Sequence, residues 1–189
     1  PFYPSLTPET EISYWKIKYN KSPDLLDYLR LDPSKTMELA GMKPDQWQRD
    51  FLLSTSNDYT LILMSRQCGK SQTSAAYALH TALMCSGSLI LLLSPTLRQS
   101  GELLRDKLLR IWRALGRPLF KLQPTQLSLE LSNGSRIISL PGEGDNILGF
   151  SSVKLLIIDE AAKVKDDLYY MVRPMLAVSK GKMIALSTP

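Results

Sequence analysis

The sequence from Tyr59 to Ser71 reads YTLILMSRQCGKS, and the fold class follows from it. Residues 59–64 form an apolar run of the length of one strand, which predicts a buried strand. Residues 70–86 have helical character, with alanine at many positions, and predict a helix. The polar loop between them ends in Gly-Lys-Ser. A loop at such a strand-to-helix turn is typical of phosphate binding, because the N–H groups at a helix N-terminus bind anions.

The glycine, lysine and hydroxyl of this loop each suit one part of a bound nucleotide. Gly69 permits close backbone approach, Lys70 neutralises phosphate oxygens, and Ser71 supplies a hydroxyl for Mg²⁺. The general phosphate-loop pattern has a further glycine five residues before Gly69, where this chain has Met64. An ordinary helix N-terminus is the alternative interpretation. The predicted nucleotide-binding residues of the loop are Ser65, Arg66, Gln67, Cys68, Gly69, Lys70, Ser71 and Gln72.

Two adjacent carboxylates, Asp159 and Glu160, follow another apolar run at residues 153–158. At the end of a strand, this pair predicts Asp159 as a residue that holds Mg²⁺ through its waters. Glu160 is predicted to orient and polarise the attacking water. The alternative is acidic capping of a following helix, since acidic side chains are favourable near helix N-termini. The two motifs together favour an ATPase more strongly than either motif does alone.

The rest of the chain alternates between predicted strands and helices, which indicates a parallel sheet covered by helices. We therefore predict an α/β three-layer sandwich with a mainly parallel sheet, in which ligands bind at the carboxyl ends of the strands. Residues 126–131 and 135–140 flank Ser-Asn-Gly and predict a β-hairpin. The other predicted strands are residues 88–93, 153–158 and 182–187, and the other helices are residues 97–115 and 167–178.

The N-terminal third differs from the rest in composition. Residues 1–35 are interrupted by prolines, with one short predicted helix at residues 23–31. Residues 44–54 predict an amphipathic helix. We expect residues 1–43 to form an N-terminal arm or lid-like extension, helical in part and otherwise irregular, and residues 44–189 to form the core.

Composition excludes several classes of protein. Hydrophobic residues make up 44% of the 189 residues and charged residues 22%, which excludes a disordered or fibrous chain. The two cysteines and one histidine provide neither a disulfide framework nor a zinc pattern. Apolar runs are too short for a membrane span. The formal net charge is +5, and residues 97–117 are rich in arginine; this permits a polyanionic partner, although a solvated face is the simpler interpretation.

Four motifs, in order, resemble the ATPase domain of the large terminase subunit of tailed bacteriophages. Ser65–Ser71 matches the family's S-R-x-x-G-K-[ST] loop, and residues 47–52, WQRDFL, resemble its adenine-recognising glutamine motif. Asp159-Glu-Ala-Ala162 and the terminal Ser187-Thr-Pro189 are also typical of the family. The resemblance implies a P-loop NTPase of the ASCE, RecA-like class, with Gln48 as an adenine contact. Ser187, Thr188 and Pro189 would then couple γ-phosphate loss to movement, and Arg66 and Lys70 would act in catalysis beside Glu160.

The resemblance also implies a cellular role. A terminase motor uses ATP and Mg²⁺ to drive double-stranded DNA into a procapsid, with the portal protein, the small terminase subunit and a homo-oligomeric ring as partners. The ring would form on assembly, and the isolated chain is expected to be a monomer. The protein would act in the cytoplasm of the infected host cell, docked on the portal, without membrane contact.

Three further expectations go with this resemblance. Leu148 stands where many relatives have an arginine, so a trans-acting arginine finger is not expected there. We expect the chain to be truncated, with no nuclease domain and no nuclease activity. A helicase-like DNA translocase of the same superclass and a nucleotide-responsive assembly module with negligible turnover are the alternative functions.

Overall fold

The computed structural model describes residues 24–54, 58–141 and 149–189. A six-stranded sheet has the order β1-β6-β5-β2-β4-β3, in which every neighbouring pair is parallel except β3 and β4. The strands are β1 (Tyr59–Leu63), β2 (Leu89–Ser94), β3 (Ser128–Glu130), β4 (Arg136–Pro141), β5 (Val153–Ile158) and β6 (Lys182–Ser187). The predicted α/β architecture with a mainly parallel sheet is confirmed.

Helices alternate with the strands, as the sequence predicts. They are α1 (Leu25–Leu31), α2 (Lys35–Glu38), α3 (Gln46–Leu53), α4 (Lys70–Met84), α5 (Leu97–Glu102), α6 (Leu109–Ala114) and α7 (Asp166–Ser179). Between α5 and α6 the chain continues as a π-helical turn, Leu103–Leu108, within the helix that the sequence predicts for residues 97–115. Among the described residues, no helix combines the length and apolar character that a membrane span requires.

Two hydrophobic clusters lie on opposite faces of the sheet. Ile90 and Leu92 of β2 belong to the cluster beneath α4, while Leu91 and Leu93 pack toward α7. This alternation follows from the period of two along a strand, and it explains why β2 is apolar at its first five positions and buried at all six. The arrangement places helices on both faces of the sheet, which is the predicted three-layer sandwich.

The prediction that residues 59–64 form a buried strand is wrong in one respect. Residues 59–63 do form β1, but this strand lies at the edge of the sheet, and its burial alternates. Tyr59, Leu61 and Leu63 are 52%, 68% and 56% exposed, whereas Ile62 packs beneath α4. An apolar run does not reveal whether both faces of a strand are covered, because strand order is a tertiary property.

The predicted hairpin is confirmed. β3 and β4 pair antiparallel, and the Leu131 N–H donates to the Ser135 carbonyl oxygen across the turn. Gly134 has φ of +83°, a left-handed conformation that glycine adopts without steric cost. The Asn133 side chain donates to the Ala82 carbonyl oxygen at 2.8 Å, so the turn is tied to the C-terminal end of α4.

The N-terminal extension is described only from residue 24 onward. Helices α1 and α2 pack against α4, and Leu29 and Met37 are buried in the cluster beneath it. The predicted helix at residues 23–31 corresponds to α1, where Asp24 and Asp27 form a reciprocal capping box. The predicted division at residue 43 remains a prediction, and residues 1–23 lie outside the described part.

Candidate active site

The loop after β1 turns sharply into α4. Gly69 precedes the helix with φ of +79°, and Gln67 also has a positive φ, of +63°. Within the described part of the chain, no side chain caps the N-terminus of α4, so its first N–H groups have no capping side chain as a partner. The Ser65 hydroxyl and the Cys68 thiol lie 2.9 Å apart inside the loop. Phosphate binding by this loop remains a prediction.

Lys70 connects three segments of the site. Its ammonium donates to the carbonyl oxygens of Met64 and Ser65, both at 2.7 Å, and lies 3.5 Å from the Thr188 hydroxyl. The residue is only 9% exposed. The lysine therefore links the phosphate-loop candidate to the predicted coupling motif at the end of β6.

Gln48 lies against the phosphate loop and is buried. Its amide Nε2 donates to the Thr73 hydroxyl at 2.9 Å, and its Oε1 accepts from the Asp45 N–H at 2.8 Å. A methyl group at Gly69 would lie 2.5 Å from Gln48 Nε2, so a side chain at position 69 would displace this amide. Both the nitrogen and the oxygen of the Gln48 side-chain amide therefore form hydrogen bonds within the chain. The adenine contact remains a prediction.

Ser71 and Asp159 come together from distant parts of the sequence. The Ser71 hydroxyl donates to Asp159 Oδ2 at 2.9 Å. Burial raises the pKa of the Asp159 carboxyl, and the hydrogen bond from Ser71 offsets part of this rise. A hydroxyl and a carboxylate are hard oxygen ligands, and Mg²⁺ is commonly held by one or two protein oxygens while water and phosphate complete the octahedron. The described residues contain no cluster of three or more metal-binding side chains, and this two-residue arrangement fits Mg²⁺ held in that way.

Glu160 follows Asp159 with φ of +51°, a left-handed conformation that is uncommon for a residue with a side chain. Lys163 Nζ donates to Glu160 Oε2 at 2.7 Å. This hydrogen bond is the main reason that the pKa of the Glu160 carboxyl is lowered, and Gln99 and the charge of Arg66 contribute less. Glu160 is therefore ionised at neutral pH, which is the form that a general base requires.

Two cavities meet at Glu160. One, of about 180 Å³, is lined by Arg66, Glu160, Ala162, Lys163 and the predicted coupling residues Ser187, Thr188 and Pro189. The other, of about 330 Å³, is lined by Ser71, Ser94, Gln99, Glu102, Leu103, Asp106, Lys107, Asp159 and Glu160. The structure thus places Arg66 beside the coupling motif and Glu160 between that motif and the Ser71–Asp159 pair.

Some residues that line the second cavity were not predicted from the sequence, among them Ser94 and Gln99. Ser94 ends β2 and Gln99 lies in α5, and the buried Ser94 hydroxyl is without a hydrogen-bond partner in the described structure. Thr96-Leu-Arg-Gln99 matches the spacing of a helix capping box, which marks a helix start but not its proximity to Glu160. Gln72, which the sequence predicts as a nucleotide-binding residue, has a buried side-chain amide nitrogen without a hydrogen-bond partner in the described structure. Leu148 lies outside the described residues.

Comparisons with known proteins give structural matches only. No protein-family model matches the chain, and no curated protein matches it by sequence. The ATPase domain of the large terminase of Thermus phage P74-26 is similar, with a TM-score of 0.69 at 22% identity, over 82% of this chain and 68% of that domain. The large terminase of bacteriophage HK97 gives a TM-score of 0.66 at 17% identity.

A third match is the large terminase of another thermophilic bacteriophage, with a TM-score of 0.59 at 16% identity over 82% of this chain and 38% of that one. The match to the HK97 protein likewise covers 82% of this chain but only 37% of that one, so the chain spans little more than a third of these longer proteins. At such identities the likeness establishes the fold. The chain has the RecA-like fold of phage large terminase ATPase domains.

Proposed function

We propose that this chain is the ATP-hydrolysing motor domain of a DNA-packaging machine. One observation supports the proposal above all: Lys70, Ser71, Asp159 and Glu160 come together at the carboxyl ends of the parallel strands. The hydrogen bond between Ser71 and Asp159 lies at the centre of this group. The fold shared with phage large terminase ATPase domains agrees with it.

Each side chain takes one part of the reaction. Lys70 and Arg66 balance the phosphate charge, and the loop from Ser65 to Gln72 wraps the phosphates. Ser71 and Asp159 hold Mg²⁺, which supplies electrostatic stabilisation of charge on the transferring phosphoryl group. Glu160 orients the attacking water and accepts its proton.

Contacts with Lys70 and a cavity shared with Arg66 support a sensing role for the proposed coupling motif. The Thr188 hydroxyl is 3.5 Å from the Lys70 ammonium, and Thr188 and Pro189 line the cavity that also contains Arg66 and Glu160. Departure of the γ-phosphate changes the charge that faces these groups. We infer that Ser187, Thr188 and Pro189 transmit this change to β6 and to the segments that move.

The polymer that this motor moves is double-stranded DNA. Arg98, Arg110 and Arg113 are exposed along α5 and α6, with Arg98 in an ion pair with Glu102, and we propose these side chains as phosphate contacts without base recognition. Arg105 lies half-buried, with its guanidinium over Gly101, and is less suited to this role. The portal protein, the small terminase subunit and a ring of identical subunits complete the proposed assembly, which acts on the procapsid in the host cytoplasm.

Phosphate release measured with and without double-stranded DNA tests the ATPase. We expect slow turnover that requires Mg²⁺, stops with a chelator and rises when DNA is added. Binding of a non-hydrolysable ATP analogue without any turnover would contradict the motor and support a nucleotide-responsive assembly module instead.

A salt titration of DNA binding tests the basic face. Affinity should fall steeply as salt rises, and changing Arg98, Arg110 and Arg113 together to alanine should flatten the slope. The matched control changes three exposed basic residues outside α5 and α6, namely Lys121, Lys180 and Arg136, and should leave the slope as in the wild type. If the salt dependence of the arginine triple variant equals that of the wild type, DNA binds a surface other than α5 and α6.

A further inference from the structure

A buried serine ends the apolar run of the interior strand β2. Ser94 is 1% exposed, and its hydroxyl is without a hydrogen-bond partner among the described residues. The five residues before it in the strand are all apolar, so packing alone would accept an apolar side chain at this position. A buried hydroxyl without a partner destabilises a fold. The position of Ser94 therefore points to a partner that the chain itself does not supply.

The pairing of strands places Ser94 beside Asp159. The Asp159 N–H donates to the Leu93 carbonyl oxygen at 2.8 Å, which extends the parallel pairing of β2 with β5 to Ser94 and Asp159. Residues two positions apart along a strand share a face of the sheet. Leu92 and Ile157 pack beneath α4, so the side chains of Ser94 and Asp159 lie on that face as well.

The two side chains also line the same cavity. Ser71, Ser94, Asp159 and Glu160 all contribute to the cavity of about 330 Å³. The Ser71 hydroxyl donates directly to Asp159 Oδ2, whereas the Ser94 hydroxyl has no described bond to that carboxylate. The cavity has room for several water molecules, each of which takes about 30 Å³ in the liquid. A water that bonds to both groups can therefore link Ser94 with Asp159.

The chemistry of Mg²⁺ gives such a water a role. Mg²⁺ usually keeps several of its waters when a protein holds it through one or two oxygens. A water bound in this way has a lone pair on the cation and donates its protons, so it needs acceptors beside it. The Asp159 carboxylate is one acceptor, and the Ser94 hydroxyl, which has two lone pairs, is another.

We propose that Ser94 belongs to the cation site as a positioning residue. Its hydroxyl accepts a hydrogen bond from a water of Mg²⁺ that Asp159 also holds, and this water fixes the cation against Ser71. The inference rests on the proposed function, because it takes Ser71 and Asp159 to hold Mg²⁺. It adds the end of β2 to a site that the sequence assigns to the phosphate loop and the end of β5.

Cation binding, measured apart from hydrolysis, tests this role. Mn²⁺ replaces Mg²⁺, and EPR spectroscopy follows the loss of the free Mn²⁺ signal during titration of the whole chain with bound ADP. Ser94→Ala should raise the Kd for Mn²⁺ about 10-fold, as is typical when a group that contacts a metal ligand from outside is lost. Ser94→Thr, which restores the hydroxyl, should recover the wild-type Kd.

Ser139 provides the matched control. Its hydroxyl, in β4, is likewise buried and without a described partner, but Ser139 is not among the described residues that line the cavity. Ser139→Ala should therefore leave the Kd for Mn²⁺ unchanged. An equal rise of the Kd in Ser94→Ala and Ser139→Ala would overturn the inference, because it would show a general effect of removing a buried hydroxyl.

Thermal denaturation without nucleotide tests for a purely structural role. If the Ser94 hydroxyl serves the cation, Ser94→Ala should lower the Tm no more than Ser139→Ala does. A clearly larger loss of Tm in Ser94→Ala would assign the hydroxyl to the stability of the fold and would overturn the inference.

A variant of the proposed cation ligand separates failure of this inference from failure of the proposed function. Asp159→Asn should abolish Mn²⁺ binding. If it does so while Ser94→Ala keeps the wild-type Kd, the role of Ser94 is overturned and the proposed cation site stands. If the wild-type chain binds no ADP or takes up no Mn²⁺, or if Asp159→Asn binds Mn²⁺ like the wild type, both proposals fall.

Discussion

Ser71 and Asp159 are separated by 88 residues in the sequence, yet the Ser71 hydroxyl donates to Asp159 Oδ2 at 2.9 Å. The contact forms because α4 begins at the side of the sheet where the parallel strands end, and β5 also ends there. Strands β1 and β5 are not neighbours, since β6 lies between them. The site thus spans three parallel strands, and it unites the phosphate loop with the acidic pair.

Removal of the lysine charge should abolish nucleotide binding. Lys70→Ala deletes the ammonium that the loop holds through the Met64 and Ser65 carbonyl oxygens. Calorimetry with a non-hydrolysable ATP analogue and Mg²⁺ should detect no binding. The control is Lys121→Ala, which removes a surface lysine paired with Glu130. Wild-type affinity in the Lys70 variant would rule out the phosphate-loop assignment.

Replacement of the proposed base should separate binding from hydrolysis. Glu160→Gln retains the shape of the side chain but cannot accept a proton from water, so the rate should fall about 10²- to 10⁴-fold. Affinity for the ATP analogue should stay close to that of the wild type. Glu130→Gln provides the control for a surface carboxylate. Turnover of the Glu160 variant within about threefold of the wild type would contradict its role as base.

Loss of the Gln48 amide should destabilise the chain. Gln48→Ala leaves the Asp45 N–H and the Thr73 hydroxyl without this partner, and the free energy of unfolding should fall by about 1–3 kcal/mol. Urea denaturation measures the change, with Gln46→Ala as control. Affinities for ATP and GTP test the adenine contact separately. A larger loss for ATP supports that contact, whereas an equal loss means that Gln48 serves the loop alone.

Arg66 should contribute to the chemical step more than to binding. It lines the cavity beside Glu160 and Thr188, and we propose that its guanidinium meets the γ-phosphate within the same subunit. Arg66→Ala should lower kcat at least about 10²-fold, with a much smaller loss of ATP affinity. The measurement is kinetics over a range of protein concentrations. The contrary outcome is that the variant turns over like the wild type, with a rate per subunit that rises with protein concentration. That result would mean that a neighbouring subunit supplies the arginine finger.

The single histidine should make the chain less stable in acid. Burial lowers the pKa of His80, whose Nε2 lies 2.8 Å from the Leu29 carbonyl oxygen. The unfolded chain, with an ordinary histidine pKa near about 6.5, binds the proton more readily. The contribution of neutral His80 is therefore present above that pH and is lost as the pH falls through the folded-state pKa.

Thermal denaturation at neutral pH and at mildly acidic pH tests this effect. Acidification should lower the Tm of the wild type by more than that of His80→Gln, in which position 80 does not titrate. Equal changes in Tm for the two proteins would show that His80 does not couple folding to pH.

Local chemistry determined most of the elements and the central motifs. The Gly69-Lys70-Ser71 run after an apolar strand predicts an anion-binding helix start, and Asn133-Gly134 between two strand-like runs predicts the hairpin. Both features depend on residues a few positions apart, and their backbone conformations follow from those residues alone. The position of Asp159 and Glu160 at the end of a strand is also visible in the sequence, because both follow an apolar run directly.

Only the tertiary structure decided which distant groups meet. An apolar run predicts β1, but the position of that strand at the sheet edge leaves Leu61 exposed. Hydrophobic periodicity along the sequence assigns a residue to one face of a strand or helix. It does not identify the element that packs against that face. The contacts of Gln48 with Gly69 and of Ser71 with Asp159 depend on the packing of helices onto the sheet. Their contacts arise from long-range strand order and helix packing, which no local pattern encodes.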